Sequence, residues 1–485
     1  MRLPHGLRRA APDLLLSAAL TPLLAWPLLW NRFPLVYWDT SEYLWRWAAM
    51  RPGYDRPLFY SLFLAAFRAF PFGIYVAALA QAAIAALLLV ALLRSVHPGE
   101  PGRARVLASV CALLVAGSPS AFHLVTLMPD ASALWIGLAA PVVALAPSAL
   151  VSGGAAALLA ASMTFHSSNL PLALAVSLVS LLGARAAGRA LARPSALFLA
   201  AFLLQPAALA WNASRAGLPA RPRPTGATFF LAARLQECGL LAPAFRSLAA
   251  READPARRAR LDGWAASLSS QPASVEGLLW SAESPLNRDF PAWRDAPADY
   301  RSARALLEPA VAEGLRSGPG EFLAKGARNV GEMSLGRDLL GGWVPHGPGS
   351  GVDRVLSERW GRNHARHRAS RQAGSESPPR AFPRFVSLWT WLTPVAVGAG
   401  TLASLWAGFL AVRSLLRGRT LPAPLAASLP LGLLLAADLL VCGFLSMAAS
   451  RYLERVVAAG PLALLLAGLA TRRPDRASSA DAPVV

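Results

Sequence analysis

The chain has 485 residues, 55% of them hydrophobic and 15% charged, with a formal net charge of +20 at pH 7. A soluble domain is charged at about a quarter of its positions, so the composition excludes an ordinary soluble protein and points to an all-α polytopic membrane protein. The positive charge is almost all arginine, with Lys325 the only lysine, and much of it lies in short loops, where it fixes orientation and implies no nucleic-acid partner.

Spans of roughly 20 apolar residues cross a bilayer as helices. Hydropathy predicts about ten, at 12–30, 73–94, 105–121, 131–147, 150–165, 170–184, 194–212, 386–412, 423–447 and 456–471. The N-terminus carries Arg2, Arg8 and Arg9 before a long apolar run with no small-x-small cleavage site, which fits a signal anchor. Threading from a cytoplasmic N-terminus puts Arg94, Arg103, Arg105, Arg185, Arg189, Arg193, Arg413, Arg417, Arg419, Arg472 and Arg473 on the inner side, as the positive-inside rule requires. Arg51/Arg56 and Arg451/Arg455 are the exceptions among the short loops. The expected location is a bacterial inner membrane, with both termini and the tail 472–485 cytoplasmic; the bias to Arg, Ala, Gly and Pro suits a GC-rich bacterial genome.

The first outside loop, 31–72, carries "VYWDTSEYLW" and then "GYDRPLFYSLF". Asp39 and Glu42 have the spacing of a capping-box pair for a helix starting at Thr40. They also sit among Tyr37, Trp38, Tyr43, Trp45 and Trp47, an aromatic belt typical of a membrane surface. Asp55 and Arg56 form a charge pair ahead of Pro57, and the run 58–70 is too short and too interrupted by Arg68 to span. It is predicted to lie at the interface or to be re-entrant.

The second outside loop brings His123 and Asp130, the latter a natural cap for the span that follows Pro129. The third brings "HSSN", with His166 in a capping turn before Pro171. Two such ligands from separate loops make a thin case for a divalent ion, so no metal or other cofactor is expected. Gln81 and Gln205 read as interhelical hydrogen-bond glue. "NAS" at Asn212 is a formal glycosylation sequon at the membrane edge, of a kind that arises by chance.

Residues 213–385 form a polar insert of ordinary domain size. Tyr300, Ala303, Leu307, Val311 and Leu315 recur at helical spacing, and "FFLAARLQECGLL" and "FLAKGARNVGEM" also read as helices. "HGPGSGVDR" and "RHRASRQAGSESPPR" read as loops, so His364 and His367 belong to a basic loop rather than a metal pair. Cys111 and Cys442 lie in apolar runs and Cys238 in a polar one, with neither a disulfide framework nor zinc spacing. In the C-terminal module, 386–471, Asp438 falls in mid-span. Intramembrane acids are costly and mark either function or a hydrogen bond to another helix. "SRYLER" brings Arg451 and Tyr452 to the outer face.

The aromatic-Asp-Thr/Ser-x-x-Tyr loop after the first span, with "RPLFY" leading to the second, resembles the GT-C membrane glycosyltransferases, in particular the dolichyl-phosphate-mannose and aminoarabinose transferase type. "LMPDASALW" resembles the second acidic site of that family, and "SRYLERVVAAGPLALLLAG" its Arg-Tyr element before a late span. The resemblance covers 1–210 and 386–471. It departs where Asp39-Thr40 stands for Asp-Glu and Arg-Pro-Leu for Lys/Arg-Pro-Pro, so it specifies no donor sugar. It implies a GT-C-like bundle with an N-terminal module at 1–212. The insert 213–385 has no counterpart in that resemblance; threading makes it a mostly helical extracytoplasmic domain before the last three spans. The resemblance also implies a polyprenyl-phosphate sugar donor from membrane lipid and an extracytoplasmic acceptor.

In that picture Asp39 is the general base and Asp130 the second catalytic acid. Glu42, Tyr43, Asp55, Arg56, His166, Arg451 and Tyr452 would bind substrate and phosphate. A carboxylate would take the acceptor's proton, while an arginine holds the leaving phosphate bidentately. The alternatives are a lipid-linked sugar flippase or other transporter, and a non-catalytic envelope assembly protein. A transporter should show symmetric halves with broken helices, and no repeat is visible in the sequence.

Overall fold

A long apolar segment in a bilayer has to satisfy its backbone hydrogen bonds internally, which a helix does. The computed structural model of the protein describes residues 5–54, 56–220, 225–336, 346–373, 381–446 and 449–471, and among them it is helical with no strand. Six helices are long and apolar enough to cross a membrane: Gly73–Val96, Asn169–Ala186, Ala192–Arg215, Arg384–Leu416, Ala423–Leu445 and Arg451–Ala470. Ala10–Leu24, Ala131–Leu145 and Ala149–Phe165 are apolar but shorter. The predicted segment 105–121 is the helix Pro101–Ala116 and then, after a break at Gly117–Pro119, the short helix Ser120–Val125.

Ala131–Leu145 is the axis of the bundle. Every one of its residues is buried, as expected for a helix that is apolar all round. Neighbours enclose it on all sides, including Gly73–Val96, Ala149–Phe165, Asn169–Ala186 and Ala423–Leu445. Ala192–Arg215 and Ala381–Leu416 are peripheral and leave Leu199, Leu203, Leu204, Leu402, Leu405, Trp406 and Phe409 exposed. Small residues allow the tightest crossing. A Cβ on Gly432 would fall 2.4 Å from the Gly400 carbonyl oxygen, and one on Gly400 would fall 2.7 Å from the Gly460 Cα, the close approach typical of helix contacts in membranes.

On one end of the bundle the loops fold over it. The chain after the first helix passes beside residues 125–127 in a short parallel bridge, with Leu35 N donating to Val125 O (3.1 Å) and Leu127 N to Leu35 O (2.9 Å). Gln81 pins the same corner by donating to the carbonyls of Leu124 and Thr126, while its own amide oxygen accepts from Tyr60 Oη at 2.6 Å. The glue expected of this glutamine therefore binds loops as well as helices. Residues 58–70 contain the eight-residue helix Phe59–Ala66, packed by Tyr60, Ser61 and Leu64. Asn212 is buried, its amide oxygen accepting from Leu58 N at 2.9 Å. It is an anchor for the first loop.

The polar insert divides in two by what it packs on. From Gly226 to Ser317 the helices close on their own core, with Phe229, Phe245, Trp264, Trp293, Tyr300 and Leu307 at its centre. The helix Pro297–Ser317 presents Tyr300, Ala303, Leu307 and Val311 to that core, the face its spacing foretells. Residues 346–373 instead join the first loop. Val352, Leu356 and Trp360 belong to the bundle's core, and the Gln372 amide brackets Val36, accepting from its N–H at 3.0 Å and donating to its carbonyl at 2.6 Å.

Two sequence expectations need correcting here. The end of "HGPGSGVDR", read as a loop, is the start of the helix Gly351–Arg359, whose cap Ser350 accepts from Asp353 N. The front of "RHRASRQAGSESPPR", read as a loop, is the end of the helix Gly361–Arg368, while 374–380 lie outside the described residues. Asp353 is the reason: it accepts from His364 Nε2 at 2.7 Å and from Arg368, so the basic residues are drawn onto one helix face instead of repelling one another.

Candidate active site

Sequence spacing alone made Asp39 a helix cap, and the structure separates the two roles. Asp39 does stand ahead of the helix Thr40–Ala49, but its side chain makes no capping hydrogen bond. Thr40 fixes the turn instead. Its hydroxyl accepts from Tyr37 N (2.8 Å) and donates to Leu127 O (3.2 Å), fastening the first loop to the second. Glu42 does not complete a capping box either, since it pairs with Arg46 at 2.7 Å and Arg56 at 3.4 Å.

Freed from capping, Asp39 faces two guanidiniums. Arg56 Nη2 donates to its Oδ1 at 2.8 Å, and Arg451 Nη1 stands 3.6 Å from Oδ2. Burial pushes the Asp39 carboxyl up, yet Arg56 and Arg451 outweigh it and hold the group below the usual carboxylate range. Asp39 is therefore ionised at neutral pH.

Arg451 is the cation with capacity to spare. It lies over the rings of Tyr37 (4.8 Å) and Tyr452 (4.9 Å) and donates to Tyr452 Oη at 3.0 Å. Its buried Nε has no hydrogen-bond partner among the described residues. A buried guanidinium N–H without a partner is costly unless something else is meant to bind it.

Behind this layer lies a second one. Asp130 precedes the helix Ala131–Leu145 but, like Asp39, does not cap with its side chain. It accepts from Arg455 Nη1 at 3.2 Å. Arg455 is wholly buried and also donates to Asp438, through Nε at 3.3 Å and Nη2 at 2.5 Å, with Ser168 Oγ 3.4 Å from Nη2. The mid-span acid thus has a basic partner seventeen positions further on, between the two possibilities that its sequence context left open. Beside it, His123 Nε2 lies 3.1 Å from Glu454 Oε2.

His166 makes the local turn expected of it, with Nδ1 2.7 Å from Ser168 Oγ. Burial and the nearby Arg455 push its imidazole down to about 4, so the ring is neutral at pH 7.

These residues meet at one cavity of about 250 Å³. Seven of the nine candidate site residues line it: Asp39, Tyr43, Arg56, Asp130, His166, Arg451 and Tyr452. Glu42 stands one step back, bracing Arg56, and Asp55 lies outside the described residues. Sequence reasoning named neither Arg455 as a site cation nor the cavity's apolar wall. That wall is built by Leu170 and Pro171 from the first turn of Asn169–Ala186, Val441 and Leu445 from a span, and Phe230, Leu231 and Trp280 from the insert. The cavity is amphipathic, with an ionic floor under apolar sides. Among the described residues no group of three or more His, Cys, Asp or Glu side chains is arranged to hold a metal ion.

The chain matches no protein family, no curated protein and no solved structure.

Proposed function

We propose that the protein is a GT-C-like membrane glycosyltransferase of about ten spans, which moves a sugar from a polyprenyl-phosphate donor to an acceptor outside the cytoplasmic membrane. One observation carries the reading above the others: a carboxylate and an under-used arginine share a cavity that also has an apolar wall. A lipid-linked sugar phosphate has those three needs. Its phosphate takes bidentate donors, its chain takes an apolar wall, and its anomeric carbon needs a base poised for the acceptor hydroxyl.

The ion pairs suggest a sequence of events. In the resting site Asp39 is neutralised by Arg56 and Arg451 and is a weak base. A donor phosphate binding those arginines competes with Asp39 for them and so raises its basicity as the substrate arrives. Asp39 then accepts the proton of the attacking hydroxyl, the acceptor oxygen bonds to the anomeric carbon, and the C–O bond to phosphate breaks with inversion. The polyprenyl phosphate leaves with its charge held by Arg451 and Arg56.

The test is Asp39→Asn, followed by both glycan product and protein level in membranes. Loss of product at unchanged protein level, with carrier-linked sugar accumulating outside, is the expected result. Normal product would remove the catalytic assignment, and accumulation of the carrier-linked sugar on the inner side would indicate a flippase.

A further inference from the structure

Arg455 and Asp438 do not line the cavity, yet they spend two charges in the middle of a helix bundle. Unpaired, each would be expensive there, and as a pair they offer little net stability over well-packed apolar residues. Arg455 is more than half of a pair. Its guanidinium spans three elements: Asp438 in the helix Ala423–Leu445, Asp130 at the head of Ala131–Leu145, and Ser168 in the third loop. Its Cζ also lies 4.9 Å from the centre of the Tyr452 ring, as does that of Arg451, so the two cations share one aromatic ring. Nε and Nη2 are fixed on Asp438, which leaves Nη1 aimed at Asp130 Oδ1.

We propose that Arg455 and Asp438 are positioning residues: Asp438 orients the Arg455 fork, and the fork holds the Asp130 carboxylate ionised and aimed at the cavity. This deepens the glycosyltransferase reading and rests on it for the meaning of Asp130. The charged and titratable groups around Asp130 are Arg455, Arg451, His123 and His166, with Asp39, Asp438, Cys442, Tyr37 and Tyr60 also within its field.

The double variant Arg455→Met/Asp438→Leu removes both charges together, which a structural pair tolerates. Two readouts on the purified full chain separate the roles. One is thermal unfolding. The other is the pH titration of the Asp130 carboxyl band by isotope-edited infrared difference against Asp130→Asn, which needs no turnover.

Positioning predicts a double variant that unfolds near the parent's temperature. Its Asp130 band titrates at higher pH, because a cation has gone while burial remains, and kcat falls tenfold or more at similar KM. An Asp130 band that titrates as in the parent overturns the proposal. If the band moves while the parent itself transfers no sugar, the positioning stands and the glycosyltransferase reading fails. If the double variant does not accumulate, Asp438→Asn decides. It keeps the side chain's shape and leaves Arg455 to Asp130 alone, so the band should move to lower pH; an unmoved band again overturns the proposal.

Discussion

The two ion clusters use the same chemistry at different depths. Arg56, Asp39 and Arg451 border the cavity, and Arg451 keeps an N–H without a partner among the described residues. Arg455 and Asp438 are closed off behind them, with the Arg455 fork shared among Asp438, a serine and Asp130 at the cavity's edge. An open, under-satisfied cluster can exchange partners with a ligand, whereas a closed, saturated one can only hold its shape. Burial and spare donors, more than residue type, separate a group that reacts from one that supports.

The sharpest way to break the comparison is to neutralise one member of each cluster. Asp39→Asn should lower transfer by about 10²- to 10⁴-fold, the usual range for a positioned base, with little change in the unfolding temperature. Arg455→Ala should do the opposite. It strands two buried carboxylates and should cost about 3–5 kcal/mol of stability, seen as lost protein in membranes and early unfolding in detergent. If Arg455→Ala left a stable protein, the inner cluster would not be the closed one.

Arg451→Lys sharpens the outer cluster. It keeps the charge but loses the fork, so donor KM should rise by about tenfold with kcat less affected.

A smaller effect concerns pH. His166, His346 and His367 are held neutral, each pushed down to about 4 chiefly by burial. Their unfolded forms titrate near 6.5, so between about 6.5 and 4 the unfolded chain binds more protons than the folded one. The stability they confer is present above about 6.5 and is lost as pH falls towards 4. His367→Gln should flatten that slope in a denaturation series from pH 7 to 4, and a slope unchanged by the substitution would contradict the burial of this ring. Smallest is Thr40→Val, which removes the fastening to Leu127 and should cost about 1 kcal/mol, read as a small drop in unfolding temperature.

The sequence made the helices legible because each apolar run has one good solution in lipid, and the spacing of Tyr300, Ala303, Leu307 and Val311 marked a helix face directly. Topology brought Asp39, Asp130 and Arg451 to one surface before any coordinates. What it could not give was pairing at long range. Nothing near Gln372 announces that its amide brackets Val36, and Asp438 and Arg455 meet only because two helices turn back on each other. Capping rules misled at Asp39 and Asp130 for a related reason. They score neighbours along the chain, and both carboxylates answer to arginines that the fold delivers from elsewhere.

Those arginines also impose an order on assembly. Asp39 and Arg56 leave the ribosome early, but Arg451 and Arg455 follow about 400 residues later, which is roughly 20–80 s of synthesis at 5–20 residues per second. Until then Asp130 and Asp438 lack the guanidinium they share, and the site has no Arg451. A chain interrupted before its last helix would therefore present a cavity without Arg451, the arginine proposed to hold phosphate, and a bundle with unmatched buried acids.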